Sequence, residues 1–127
     1  MITADGMEKE ITLPAAAARH DALWVRNAVG GLPLDRDEVL ELLALGEVIA
    51  RKAAYGRQLA VRSARTAGAS WSQIGAALGV TKQAAWEAHG RWIDDQAAQN
   101  RETGYEGLDE ARTAAARALA GDLGDES

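Results

Sequence analysis

The sequence has no cysteine, no phenylalanine, only two prolines, and aromatic residues at 5%. Without cysteine there is neither a disulfide frame nor a thiolate metal site. With so little proline, nothing interrupts long stretches of helix. Apolar residues still reach 47%, well above the range of disordered polymers. That stock is mostly Ala, with Leu, Val and Ile. Ala loses no side-chain rotamer freedom on entering a helix, so this composition favours helix over strand. A long apolar run is also missing. The longest uncharged stretch, Thr66 to Thr81, contains Ser, Thr and Gln and falls short of the roughly 20 apolar residues that span a bilayer. The N-terminal MITADGMEKEI carries acids where a secretory signal needs a basic start and an apolar core. These absences predict a soluble, cytoplasmic protein with no membrane partner, and 127 residues suffice for one compact domain.

The formal net charge of −5 is unevenly distributed. Residues 1 to 50 hold four basic and nine acidic side chains, and residues 93 to 127 hold three basic and nine acidic. Between them Arg51, Lys52, Arg57, Arg62, Arg65, Lys82 and Arg91 face Glu87 alone. A basic island between acidic ends suits a polyanionic partner, although an ordinary solvated helix surface gives the same tally.

Along the chain, residues 1 to 13 read as an irregular arm. Pro14 suits the first turn of a helix running to Val29, and Gly30-Gly31 stops it. Asp35 with Glu38 is a capping box for a second helical stretch reaching about Ala67, where Gly46 and Gly56 are candidate breaks. From Val39 to Ile49 that helix is apolar nearly all round, which predicts burial in the domain or between subunits. Leu108 to Ala120 reads as another Ala-rich helix, and residues 121 to 127 as a frayed acidic tail. The predicted fold is therefore all-α, about five helices in a single domain over 14–120.

Residues 68 to 92, GASWSQIGAALGVTKQAAWEAHGRW, carry the densest local signals. Ser70 followed by Gln73 is a capping box that starts a helix at Trp71. Ile74, Ala77 and Leu78 then form an i, i+3, i+4 stripe, and Gly79 ends the helix. Thr81 is an N-cap for a second helix beginning Lys82-Gln83, with Ala84, Ala85 and Ala88 small enough for close crossing. Gly75 sits near the predicted crossing point. A short helix, a glycine turn and a second helix is the helix-turn-helix plan, whose second helix enters the DNA major groove. On that plan Thr81, Lys82, Gln83 and Trp86 are the candidate base-reading residues; Lys pairs with guanine and Gln with adenine. Arg62, Arg65, Ser70, Ser72 and Arg91 are the candidate phosphate contacts.

The string ASWSQIGAALGVTKQAAW resembles the helix-turn-helix of many small actinobacterial DNA-binding proteins. These share a Gly-Ala-Ser-Trp start, an Ile-Gly step, a Leu-Gly-Val turn and a Gln-Ala-Ala-Trp or Gln-Ala-Ala-His second helix. It is also similar to the sigma-factor region that reads the upstream promoter element. The resemblance covers about residues 60 to 90. It implies sequence-specific binding to duplex DNA, with Thr81, Lys82 and Gln83 reading bases and Trp71 packing the first helix. The pattern departs after Trp86, where Glu87-Ala88-His89-Gly90 stand in place of basic residues and an aromatic.

Among the remaining aromatics, Trp24, Trp71 and Trp92 are core candidates with Ile93, while Trp86 either contacts a thymine methyl or covers a neighbouring helix. His89 and His20 are the only histidines, too few and too scattered for a metal site. No nucleophile, phosphate loop or general-base constellation accompanies the acids, so no enzyme and no cofactor is expected. The expected function is a homodimeric transcriptional regulator binding double-stranded DNA. The alternative is a helical adaptor that contacts a sigma factor, polymerase or another regulator of the transcription machinery.

Overall fold

A computed structural model describes residues 1–125, and these are all-helical, with no strand among them. The six α-helices of the described residues are α1 (Ala4–Glu10), α2 (Leu13–Val29), α3 (Arg36–Thr66), α4 (Trp71–Leu78), α5 (Lys82–Thr103) and α6 (Glu110–Ala120), followed by a short 3-10 turn, Leu123–Asp125. The expected arm at 1–13 thus contains a helix. Thr3 caps it by accepting from the Gly6 N–H at 3.1 Å, and its Asp5 and Glu8 reach Arg51 at 2.7 and 3.8 Å. Of the expected acidic tail, residues 126 and 127 lie outside the described residues. No helix among the described residues is long and apolar enough to cross a membrane.

The chain divides into two compact units, Met1–Gly56 and Arg57 onward, with the boundary inside α3. That helix runs unbroken through Gly46 and Gly56. Each glycine costs about 1 kcal/mol against Ala in a helix interior, and the Ala, Leu and Arg residues around them are strong enough helix formers to absorb it.

In the first unit, α2 and the first part of α3 pair antiparallel. Arg19 bonds Glu41 at 2.7 Å and Arg26 bonds Glu38 at 2.7 Å. Glu38 also closes the predicted capping box, its N–H donating to Asp35 Oδ1 at 2.8 Å and its carboxylate accepting from the Asp35 N–H at 3.2 Å. Beneath these pairs Ala16, Leu23, Leu42 and Leu45 form a core, flanked by Met7, Ile11, Leu34 and Ile49. Two helices cover only one side of each other. Trp24, expected in the core, is 57% exposed and stacks on His20; Leu43 is 67% exposed, and Val25, Val29, Leu32 and Leu40 also face solvent.

The second unit holds the larger core: Val61, Trp71, Ile74, Ala85, Ile93, Leu108, Ala116 and Ala120 are buried together, with Trp86, Trp92 and Leu123 packed against them.

Candidate functional site

The geometry of residues 70 to 83 follows from short-range bonding. The Ser70 hydroxyl accepts from the Gln73 N–H at 3.1 Å, and the Gln73 amide oxygen accepts from the Ser70 N–H at 2.9 Å, so the capping box closes reciprocally. Gly79 ends α4 in the left-handed region at φ 71°, where a Cβ is disfavoured. The chain then folds back, the Val80 N–H donating to the Gly75 carbonyl at 2.9 Å. Thr81 accepts from the Ala84 N–H at 3.0 Å and starts α5. Gly75 is indispensable to this turn for a reason different from the expected helix crossing. A Cβ there would lie 2.8 Å from the Val80 carbonyl oxygen and 3.0 Å from the Lys82 nitrogen, both backbone atoms that cannot swing aside.

The buried face of α4 is Trp71, Ile74 and Gly75, whereas Ala77 and Leu78 of the expected stripe are exposed. The buried stripe keeps the i, i+3, i+4 spacing but starts one turn earlier than expected, because Trp71 is itself the anchor. Its indole N–H donates to the Ala120 carbonyl at 2.8 Å. Arg65 lies over the Trp71 ring at 5.0 Å and donates to the carbonyls of Ala69, Leu119 and Ala120. His89, 1% exposed, lies between Trp71 and Trp92, with ring centroids 5.7 and 5.2 Å away, and its Nδ1 pairs with Gln58 Oε1 at 2.9 Å. Arg62 closes the far side over Trp92 at 5.8 Å. Burial, and then the charges of Arg62 and Arg65, hold the His89 imidazole below its ordinary range, so it stays neutral.

Around the start of α5, Thr81 and Gln83 are exposed and Lys82 is half-buried. The Gln83 amide donates to Glu87 Oε1 at 3.0 Å, one helical turn on. Trp86 is half-buried against the core and donates its indole N–H to the Gly121 carbonyl at 3.0 Å, which is the covering role. Ser72 and Arg91 are exposed, and Ser70 is engaged in its capping box. The structure therefore brings Thr81, Lys82 and Gln83 together at one helix end and turns the Arg65 guanidinium toward backbone carbonyls. The basic island is also smaller than its tally, since Arg51 is tied to Asp5 and Glu47. Gln58 and the carbonyls at the end of α6 escaped sequence reasoning. A backbone acceptor 49 residues from Trp71 leaves no signature in residue types. The only available signal was that a buried indole N–H needs an acceptor somewhere. No group of His, Asp or Glu able to hold a metal ion occurs among the described residues.

No family model matches the chain, and neither a curated protein nor a solved structure matches it significantly.

Proposed function

We propose that this chain is a sequence-specific double-stranded-DNA-binding protein, a dimeric transcriptional regulator whose α4–turn–α5 is a helix-turn-helix. The main support is the close approach of Gly75 to the backbone of the turn. That contact fixes α4 against α5 while leaving Thr81 and Gln83 exposed at the N-terminus of the second helix. In this geometry the first residues of α5 meet base edges and α4 crosses the phosphate backbone. Gln83 reads adenine, and Lys82 donates to guanine. Ser70, Ser72, Arg62 and Arg91 position the protein on phosphates, with Arg65 behind them because of its carbonyl bonds. The actinobacterial motif quoted above points to the same class of ligand.

One such reading helix contacts few bases, and two-fold pairing over two half-sites about 34 Å apart is the usual remedy. The exposed apolar side chains of the first unit, Trp24, Val29, Leu40 and Leu43 among them, suit a second copy of the chain. The same residues favour the adaptor reading if their partner is instead a protein of the transcription machinery.

A shift assay with random duplexes, titrated with salt and followed by selection of bound sequences, tests the proposal. Binding should weaken steeply with salt. Gln83→Ala should cost about 1–3 kcal/mol on the preferred sequence and relax preference at one base position. Arg62→Ala should weaken all sequences alike and lower the salt slope by about one unit or less. Salt-independent binding, or none, would defeat it.

A further inference from the structure

The last turns of α5 pack against α6 across a short connection. Ala97, Asn100 and Arg101 recur at i, i+3 and i+4 on α5, and Glu110, Thr113 and Arg117 at i, i+3 and i+7 on α6, so each trio shares one helix face. Those two faces, with Leu108 between them, line a cleft of about 410 Å³, a size typical of small-molecule sites.

The cleft is held in shape by its own framework. The Leu108 N–H donates to the Gln96 carbonyl at 3.1 Å, and Gly107 (φ +72°) leaves no room for a Cβ beside that carbonyl. Arg117 pairs with Asp94 at 2.8 Å. The Asn100 amide donates to the Glu106 carbonyl at 2.9 Å, and the Thr113 hydroxyl to the Leu108 carbonyl at 3.2 Å. Ala97 and Leu108 are buried and form an apolar floor. Two charges are left over. Arg101 and Glu110, one from each helix, line the same cleft, yet among the described residues neither has an ion-pair partner, and they do not pair with each other.

A preformed cleft costs a ligand little reorganisation. Opposite unpaired charges from its two helices, over an apolar floor, match a small molecule that carries both charges and an apolar body. We infer that the α5–α6 cleft binds an apolar α-amino acid, with its carboxylate on Arg101, its ammonium on Glu110 and its side chain against Ala97 and Leu108. The planar guanidinium fork suits a carboxylate. A simple acid or a simple amine leaves one of the two charges unmet. The inference goes beyond the DNA reading and stands without it.

Titration of the full chain with L-leucine, L-valine, L-methionine or L-phenylalanine, followed by amide NMR and thermal melting, tests it. At least one should saturate with a dissociation constant on the order of 1 mM. It should move amide signals between residues 97 and 117 and raise the melting temperature. The amine-free and carboxylate-free analogues of the tightest binder should each bind about fivefold more weakly. Arg101→Gln and Glu110→Gln, both at exposed positions, should keep the fold and each lose about fivefold in affinity. No saturable binding by any of the four, signals that move only elsewhere, analogues as tight as the amino acid, or variants that bind like the parent overturn the inference.

Discussion

At the scale of single residues, opposing small effects at glycine give the sharpest test of the turn. Replacing a helical glycine by Ala ordinarily stabilises by up to about 1 kcal/mol. At Gly90 a Cβ meets nothing within 4 Å, so Gly90→Ala should raise the melting temperature. At Gly75 the added carbon meets the Val80 carbonyl at 2.8 Å, and overpacking against backbone costs about 1–3 kcal/mol. Gly75→Ala should therefore melt lower than the parent, and a variant that melts higher would disprove the close approach. His89 supplies a second residue-scale prediction. Its neutral form is favoured in the fold, so the unfolded chain takes up the proton first as pH falls below the ordinary imidazole value of 6.5. Stability present at neutral pH should decline from there downward. The depressed carboxylates Asp5 and Glu38 act only lower, toward their ordinary values of 3.8 and 4.5. Denaturant melts between about pH 5 and 7 should show the slope in the parent and a flatter line for His89→Gln.

At the scale of elements, Arg65 separates a phosphate contact from a structural clasp. A phosphate contact survives Arg65→Lys as a point charge, whereas a fork shared among the carbonyls of Ala69, Leu119 and Ala120 does not. Arg65→Lys should lose about 1–3 kcal/mol in a chemical melt, since it leaves carbonyls unsatisfied. A stability equal to the parent's would return Arg65 to the proposed phosphate contacts. The same contrast explains what was legible in the sequence. Ser70 with Gln73, Asp35 with Glu38, and Gly79 and Thr81 at helix ends act through bonds three or four residues long, so residue type and spacing reveal them. α1 was missed because its seven residues have little apolar periodicity and bury none of their side chains. Trp24 was misplaced for another reason. An apolar residue on a helix marks a face to be covered, but spacing does not say whether the chain itself supplies the cover.

At the scale of the whole molecule, the all-helical class was readable from Ala-rich, Pro-poor composition, while the division near Gly56 was not, because α3 runs through it without any linker. The candidate site was half legible. Thr81, Lys82 and Gln83 do share one helix end, but the partners of Trp71, Trp86 and Arg65 are remote backbone atoms. The uncovered side chains of the first unit carry the prediction at this scale. In sedimentation at micromolar concentration, the parent should run as a dimer and Leu43→Glu as a monomer with weakened DNA binding. A monomeric parent that binds a single site tightly would defeat the dimer model.

The clasp on α6 also has a consequence in time. Its bonds join residues 35 to 55 positions apart, whereas α4 and α5 are separated by a three-residue turn. Contacts close in sequence form fastest, and translation delivers about 5–20 residues per second. During synthesis α4 and α5 therefore come together first, while Trp71 and Ile93 await the helix that will bury them. The acceptors that Leu119 and Ala120 supply arrive only once α6 has been made. A released chain that ended between α5 and α6 would display the two adjoining helices over an open, adhesive core, and chaperones or proteases would meet it in that form.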